Sequence, residues 1–309
     1  MRKVGPFLFV GLGAFLLAAA VIALTWVPGV VERTPLDTDD TTVLEGTAST
    51  PNDEFVLEEG PVKAYSQNDV DSDKSDDDVA VFVTSLCLVH DVDGIDGCVD
   101  ENDPQGRLIS AEQAMFAVDR HTGMTVDNDG YLPEGSPQYD GLQNKFPFNA
   151  EKTTYPVWDD IVGAAVDAEY QGEDEIDGLD VYVYEYTTNV GPVNLVADIE
   201  GTYYATYTYY VEPKTGKIIN QVVHQERIAS GVETILELDL QFTDEQIQAN
   251  VDDVNDSLSL LRTLEVIVPI VGLVGGVLVL AAGLLLLVRG RRRTEEREVD
   301  RAPKEPAGV

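Results

Sequence analysis

The chain has 309 residues, which is long enough for one large domain or two of ordinary size. It contains 56 Asp and Glu residues against 20 Lys and Arg, and 50 of the acidic but only 11 of the basic residues lie between Glu32 and Arg262. So acidic a surface repels phosphate backbones, which argues against nucleic acid as a partner. Two interpretations of the acidity remain open: a surface adapted to solubility or high salt, and a specific store of cations.

The first predicted element is a membrane span at Phe7–Val27 (FLFVGLGAFLLAAAVIALTWV), a run of 21 residues. Roughly 20 helical residues cross the hydrocarbon of a bilayer, and Trp26 suits the membrane interface. A cleaved signal peptide is the alternative, because Arg2 and Lys3 precede the run. Its apolar core would have only about 7–15 residues, so the length favours an uncleaved anchor.

The region after the first span is predicted to be mainly β. Residues 67–78 (QNDVDSDKSDDD) are acidic and without periodicity, which predicts a flexible loop. The predicted fold class is mainly β (α+β), with an antiparallel sheet or a barrel-like closure. Five runs rich in β-branched and aromatic residues predict its strands: Val79–Val89, Asp180–Thr188, Thr202–Val211, Lys217–Ile228 and Val232–Phe242.

Cys87 and Cys98 are the two cysteines of the chain, 11 positions apart. Outside the cytoplasm, such a pair predicts a disulfide that closes a short loop. A loop of this length stabilises the fold by about 2–3 kcal/mol. Metal binding by two isolated thiols is the less favoured interpretation.

Two Asp-rich turns, Asp91–Gly97 (DVDGIDG) and Asp127–Gly130 (DNDG), resemble calcium loops. Ile95 and Tyr131, however, occupy the positions where the third oxygen ligand of an EF-hand loop belongs. Asp, Asn and Gly are also favoured in ordinary turns, which is the preferred interpretation. No metal site, cofactor site or catalytic residue is predicted, and the absence of hydrolase, metalloprotease, Walker and Rossmann motifs argues against an enzyme.

Two segments share the pattern V-[DE]-x-x-T-G: Val118–Asp127 (VDRHTGMTVD) and Val211–Asn220 (VEPKTGKIIN). The second predicts a hairpin between Tyr203–Val211 and Lys217–His224, since Pro and Gly stand at turn positions. A duplicated half-domain and a recurring turn chemistry both explain the repetition. The strands around the second turn are rich in tyrosine, and these side chains either line a ligand site or are ordinary strand residues: 182, 184, 186, 203, 204, 207, 209 and 210.

The C-terminal part is predicted to be helical. Thr243–Gln246 (TDEQ) fits a capping box, and an apolar seam follows at Ile247, Val251, Val254, Leu258 and Leu261. The seam is expected to pack on the β domain, with self-association as the alternative. With no proline before Pro269, the helix is expected to continue into a second span.

The second predicted span is Val266–Val288, 23 residues without a charged or amide side chain. Gly272 and Gly276 form a GxxxG motif, and Ala14/Ala18 and Ala19/Ala23 place small residues on the first span, so the two helices are predicted to pack on each other. Basic residues flank both spans and place both termini in the cytoplasm by the positive-inside rule: Arg2, Lys3, Arg289, Arg291, Arg292 and Arg293.

The predicted organisation has six segments. Between the two spans lie an acidic extracytoplasmic β domain and a juxtamembrane amphipathic helix. The boundaries are residues 1–6 for the cytoplasmic N-terminus, 7–27 for the first span, 28–242 for the β domain, 243–265 for the amphipathic helix, 266–288 for the second span and 289–309 for the cytoplasmic basic tail.

The sequence resembles the actinobacterial two-span membrane proteins of the porin PorA family, over nearly the whole chain. The opening MRKVGPFLFVGLGAFLL and the closing arginines fit as well. KFPFNAEKTTYPVWD is the most specific of the matching segments, which are Lys145–Asp159, Val118–Gly123, Gly172–Tyr184 and Val211–Ile218.

This resemblance implies a cell-envelope protein with two terminal spans and an external domain, in a family named for channel formation. Neither span has the polar stripe that would face a water-filled lumen. The predicted function is therefore binding or scaffolding of an envelope component, a lipid, a glycan or a protein. The alternative is a subunit of an oligomeric pore, and the oligomeric state stays open.

Overall fold

The structure is a computed structural model that describes residues 5–52, 54, 56–196, 199–230 and 234–299. It divides into two compact units. The larger unit is Glu32–Leu258, and the smaller joins Met1–Val31 to Ser259–Val309. Arg2 and Lys3 lie outside the described residues.

The larger unit is built on one antiparallel sheet of ten strands. In chain order these are β1 (Asp39–Pro51), β2 (Leu57–Val70), β3 (Val79–His90), β4 (Leu108–Asp119), β5 (Tyr155–Asp159), β6 (Ala164–Ile176), β7 (Leu179–Val196), β8 (Ile199–Val211), β9 (Ile218–Ala229) and β10 (Thr234–Phe242). The strand order is β4-β3-β2-β1-β10-β9-β8-β7-β6-β5, so the first and last strands of the chain pair in the middle.

The helices carry the two ends of the chain. α1 (Gly5–Thr25) is followed by the four-residue α2 (Pro28–Val31). At the other end, α3 (Asp244–Arg262) continues through a π-helical turn at Thr263–Ile267 into α4 (Val268–Val299), with no non-helical residue between them. The predicted continuation of the amphipathic helix into the second apolar run is thus observed in the backbone.

The sheet is curled into a half-barrel, and its inner face forms the largest apolar cluster. Ile109 of β4 and Tyr207 of β8 lie at the two ends of this cluster, which extends over the five strands between them. The buried members of the cluster are Leu44, Ala48, Val62, Ala64, Leu88, Val223, Leu236, Leu238, Leu240 and Phe242.

The outer face is covered in part by α3. Val251 and Val254 are 3% and 1% exposed and pack on Leu179, Val181 and Ile219 of the sheet. The prediction that the helical seam packs on the β domain is therefore confirmed. At the helix start, the backbone N–H of Gln246 donates to Thr243 Oγ1 at 3.1 Å, as in a capping box. The Gln246 side chain does not complete the box, because its Oε1 accepts the backbone N–H of Val43 in β1.

All five predicted strands are present, and the predicted hairpin is formed by β8 and β9. Five others, β1, β2, β4, β5 and β6, were not predicted. The predicted loop at 67–78 was partly wrong, because β2 extends to Val70 and pairs there with Phe82. Hydrogen bonds to β1 on one side and β3 on the other keep this acidic segment extended.

The two V-[DE]-x-x-T-G segments form the same turn. In the first, Asp119 accepts the backbone N–H groups of His121 and Thr122, and Gly123 has a φ of +71°. In the second, the Glu212 carboxylate accepts those of Lys214 and Thr215 at 2.9 and 2.8 Å. The shared pattern thus corresponds to one turn geometry, in which an acidic first residue caps the turn and glycine takes the left-handed conformation, as both a duplicated half-domain and a recurring turn chemistry would produce.

The segment 146–150 joins these two turns. The Phe146 N–H donates to Gly216 O at 2.9 Å, and the Phe148 N–H donates to His121 O at 3.1 Å. Gly216 has a φ of +73°, and a Cβ there would lie 2.1 Å from Phe146 O. Glycine is required at this position both for its conformation and for the close approach of the backbone.

Glu32 connects both turns to the start of the β unit. Its side chain is buried and accepts hydrogen bonds from Asn149 Nδ2 at 2.9 Å and from Lys214 Nζ, while its carbonyl oxygen accepts one from His121 Nδ1 at 2.7 Å. Burial opposes ionisation, but the bonds from Lys214 and Asn149 prevail and lower the pKa of Glu32. The carboxylate is therefore a charged anchor at neutral pH.

In the smaller unit, α1 and α4 pack antiparallel through small residues. A Cβ on Gly13 would lie 2.6 Å from Leu280 N, and one on Gly272 would lie 2.9 Å from Ala20 Cβ. One on Gly276 would lie 2.8 Å from Leu17 Cγ. The predicted GxxxG residues thus lie in the helix contact.

On α1 the contact stripe differs from the predicted one. Gly13, Ala20 and Ala23 are buried, whereas Ala14 and Ala18 are exposed. Ala14 and Ala18 therefore do not belong to the contact, because the helix rotation places Gly13 and Ala20 against α4.

We predict that Gly216→Ala destabilises the protein by roughly 3 kcal/mol, because a Cβ there combines backbone strain with a clash against Phe146 O. Gly178→Ala is the matched control, since Gly178 also has a positive φ, +82°, but open space around its Cα. That control should cost only about 1 kcal/mol. Urea unfolding of the full-length protein in detergent measures both, and equal losses would contradict the role assigned to the close approach.

Candidate functional site

The predicted disulfide is formed between Cys87 and Cys98, whose Cα atoms are 6.0 Å apart. It fixes the loop after β3 to the outer face of the sheet, where Ile95 packs on Tyr65 and Val89. The Tyr65 hydroxyl donates to Ile95 O at 2.8 Å. The role of the disulfide is thus to hold this loop on the sheet.

The Asp-rich turns are held by local hydrogen bonds. Asp91 accepts the Ile95 N–H at 3.1 Å and pairs with Lys63 at 3.4 Å, and Asp127 accepts the Asp129 N–H at 3.0 Å. Within the described ranges, no three His, Cys, Asp or Glu side chains are grouped to hold a metal ion. These bonds are those of ordinary Asx turns.

The gap between the two edge strands, β4 and β5, is bridged by one aromatic side chain. The Tyr139 ring contacts Phe116 of β4 edge-on, with 6.0 Å between centroids, and Trp158 of β5 edge-on, with 5.1 Å. β4 next to this bridge is open, with Ser110 to Gln113 exposed. We call this place the edge cleft and define it by Glu112, Tyr139, Trp158, Asp160 and Arg227.

Three charged groups from distant parts of the chain meet in the edge cleft. Burial, followed by the nearby negative charge of Asp160, raises the pKa of Glu112, while Arg227 lowers it. Burial likewise raises the pKa of Asp160, although its carboxylate accepts a hydrogen bond from Trp158 Nε1 at 2.7 Å. Both residues are nevertheless exposed, so their carboxyl groups are accessible to water although the surrounding protein raises the pKa of each.

Arg227 of β9 brings hydrogen-bond donors to the same cleft. Its Nη2 donates to Gln225 Oε1 at 2.9 Å, and Gln225 in turn donates to the Tyr207 hydroxyl. Arg227 Nε is buried without a hydrogen-bond partner, and no carboxylate in the described part of the chain lies within ion-pair distance of this guanidinium. A guanidinium without a carboxylate partner readily binds an oxygen-rich ligand.

The wall beneath the cleft is fixed by Asp159, which is 3% exposed. Its Oδ2 accepts the hydroxyls of Tyr186 and Tyr203 at 3.0 and 3.1 Å, and its Oδ1 accepts the N–H groups of Ile161 and Val162. All four bonds end on one carboxylate, so its hydrogen-bonding capacity is filled. Asp159 therefore positions the turn that carries Asp160.

The tyrosine-rich strands form core. Phe146 is 1% exposed and stacks on Tyr184 with 4.6 Å between ring centroids, and it contacts Tyr209 edge-on at 5.7 Å. Leu142 and Val157 complete the cluster. The hypothesis that the tyrosines line a ligand site loses its support for Tyr184, Tyr186 and Tyr209, because Leu142 and Phe146 pack in the same buried cluster.

Lys145 differs from the other lysines of the described residues. Those others pair with carboxylates: Lys63, Lys74, Lys152, Lys214 and Lys217. The Lys145 amine instead lies over the Phe148 ring, 3.6 Å from its centroid. Burial, followed by the positive charge of Lys217, lowers its pKa to about 7.

Two open depressions lie elsewhere on the β unit. One, of about 560 Å³, is lined by residues from Leu36–Asp39 and by Asp69, Val70 and Ser72. The other, of about 350 Å³, lies over the Asp127–Gly130 turn. Both are wide and acidic, and neither is an apolar tunnel.

α1 and α4 are long and apolar enough to cross a membrane, with mean hydropathy of 2.7 and 2.8 in their most apolar segments. Most of their large side chains are exposed, such as Phe15 at 68% and Leu278 at 65%. Such surfaces are typical of helices that lie in lipid. Arg289, Arg291, Arg292 and Arg293 all belong to α4, beyond its apolar part.

A curled β domain with apolar helices from both ends of the chain defines a membrane-associated protein with one folded, acidic domain between two candidate spans. A sequence profile of the family described as Porin PorA matches residues 5–285. The chain therefore belongs to the Porin PorA family, as its sequence motifs predicted.

Porin PorA of Corynebacterium amycolatum is 27% identical to this chain over 153 residues. The match covers 46% of this chain and only 36% of that protein's length. Two solved structures show a remote likeness. A DUF1329 family protein from Desulfovibrio piger is 13% identical over 74% of this chain and 90% of its own, with a TM-score of 0.18. A LolA superfamily protein from Nitrosomonas europaea is 8% identical over 72% of this chain and 92% of its own, with a TM-score of 0.16. Scores this low carry no structural argument.

We predict that Lys145→Met stabilises the β unit below pH 7 and that this gain shrinks as the pH rises to 9. The folded-state pKa near 7 is below the ordinary value of about 10.4. Between these values the unfolded chain binds a proton that the folded chain has released, so wild-type stability rises with pH. Urea unfolding at pH 6, 7.5 and 9 measures the difference. Lys74→Met, at a lysine paired with Asp71, is the control. A gain that stays constant over this range would contradict the prediction.

Proposed function

We propose that the protein is a membrane-anchored cell-envelope protein whose acidic domain lies outside the cytoplasm and binds a neutral, hydroxyl-rich envelope glycan in the edge cleft. The observation that carries this proposal is the convergence of an aromatic pair, two exposed carboxyl groups and the Arg227 guanidinium on one surface cleft. Sugars offer many hydroxyls that both donate and accept hydrogen bonds, and their apolar ring faces pack on aromatic side chains.

The chemistry of the cleft favours a glycan over a lipid. An acyl chain needs an open apolar surface, but the leucine-rich inner face of the sheet is packed on itself, with Leu240 only 8% exposed. The side chains that remain accessible beside the gap are polar. The acidity of the whole domain also disfavours anionic lipid headgroups and acidic glycans.

The pore named by the family is the second candidate. A water-filled pore needs polar groups along its wall, and the apolar parts of α1 and α4 have none in a continuous stripe. The small residues that would allow close packing between chains, Gly272 and Gly276, already contact α1 of the same chain. The helix pair therefore supports an anchor better than a channel.

The antiparallel packing of α1 and α4 supports the proposed topology, because Gly5 and the arginine end of α4 lie at the same end of the pair. By the positive-inside rule, the arginines after the second span favour a cytoplasmic location of that end. We predict that protease added to intact cells digests residues 32–258 and spares an epitope fused after Val309. Cleavage of the epitope with survival of the β unit would contradict this orientation.

We predict that the double change Glu112→Gln and Asp160→Asn weakens glycan binding at least tenfold, which is about 1.4 kcal/mol or more. Charged oxygens accept hydrogen bonds from hydroxyls more strongly than amide oxygens do. The measurement is binding of the full-length protein in nanodiscs to immobilised neutral pentose and hexose oligosaccharides. Asp174→Asn with Glu175→Gln, on the exposed part of β6, is the matched control. Equal binding by both double variants would contradict the proposed site.

We expect no discrete current steps from the purified protein in planar bilayers, since the helix pair presents no polar lumen. A known channel former in the same bilayers provides the positive control. Steps that disappear when α4 residues are changed would establish the pore and remove the anchor interpretation.

A further inference from the structure

The amine of Lys145 lies outside the edge cleft, over the ring of Phe148, and has no part in the proposed glycan binding. Of the lysines in the described residues, this one lies against a ring instead of a carboxylate, in a chain with 56 acidic residues. So acidic a domain offers carboxylates nearly everywhere, and yet the fold keeps this amine away from them.

The surroundings of Lys145 come from the 141–150 segment and from the two turns it joins. Phe148 lies beneath the amine, with Nζ 3.6 Å from its ring centroid, and Lys217 places a positive charge nearby. The aliphatic stem is fixed as well, because Lys145 Cγ and Lys145 O pack at the positive-φ Gly123. Enclosure and a neighbouring cation are the two conditions that hold a lysine amine in its nucleophilic, uncharged form.

The two residues before Lys145 also carry polar atoms without partners. Gln143 Nε2 is a buried donor and Asn144 Oδ1 a buried acceptor, and neither has a hydrogen-bond partner among the described residues. Buried polar groups are normally paired, so two consecutive side chains with unpaired buried atoms directly before Lys145 are unusual. Such groups are suited to a ligand that carries oxygen atoms.

We propose that Lys145 is a covalent attachment site for an aldehyde, such as the open-chain form of a reducing sugar, through an imine. The uncharged Nζ attacks the carbonyl carbon, a C–N bond forms, and a proton moves from nitrogen to the former carbonyl oxygen. Loss of that oxygen as water then gives the C=N bond. No oxidant or reductant takes part, and the amine and aldehyde balance the imine and one water.

The test is competitive labelling of the full-length protein with glycolaldehyde and cyanoborohydride, which traps imines, followed by peptide mapping. At pH 7 about half of the Lys145 amines are uncharged, whereas an ordinary lysine is uncharged in well under 1% of molecules. We expect Lys145 to be labelled at least tenfold faster than Lys74. Its rate should level off above about pH 8, while that of Lys74 continues to rise.

Matched variants separate a reactive amine from a merely exposed one. Lys217→Met removes the neighbouring positive charge and should slow labelling of Lys145 at pH 7. Lys217 forms an ion pair with Asp253, which the Lys217→Met change also removes. Asp253→Asn breaks this ion pair but keeps the charge of Lys217, so it should not slow labelling of Lys145. Lys145→Arg should keep the melting temperature within a few degrees and give no adduct at this position. Labelling of Lys145 no faster than that of Lys74, or equal slowing by both ion-pair variants, overturns the proposal.

Discussion

The pairing of the first strand with the last is the constraint on which the β unit depends. β1 and β10 lie next to each other in the middle of the sheet, with Leu44 opposite Phe242, although nearly the whole domain lies between them in the sequence. Without this pairing, β1–β4 and β5–β10 would be two separate sheets with open edges. The antiparallel register also places the start of β1 beside the end of β10. The chain thus enters and leaves the sheet at one point, as a domain held at both ends requires.

A second layer of structure depends on one buried carboxylate. The Glu32 carboxylate accepts hydrogen bonds from Asn149 and Lys214, and the Glu32 carbonyl oxygen accepts one from His121 Nδ1. Glu32 therefore connects the two turns of the same geometry. The segment that runs between those turns carries Phe146 into the tyrosine core and Lys145 onto Phe148. The stability of the core and the unusual environment of Lys145 therefore have a common structural cause.

The hydrogen-bond partners of the charged side chains distinguish those with a structural role from those available to a ligand. Asp159 is buried with four hydrogen bonds and serves to position its turn, while the adjacent Asp160 faces the edge cleft with a raised pKa. Arg227 likewise keeps a donor unused although acidic residues abound. In a chain so rich in carboxylates, a basic side chain without an acidic partner indicates a functional role, and Arg227 and Lys145 are such residues in the described part of the chain. These are the residues on which both proposals rest.

The sequence by itself determined the two apolar helices, the disulfide, the helical seam on the sheet and the β8–β9 hairpin, because each depends on periodicity, length or spacing over a few neighbouring residues. Half of the strands were not predictable in this way. β1 and β6, for example, are rich in Asp, Glu, Thr and Gly, and remain extended because strands on either side satisfy their hydrogen bonds. Only the tertiary structure brought Glu112, Tyr139, Asp160 and Arg227 together, since the curvature of the whole sheet decides which side chains meet across the gap between its edges.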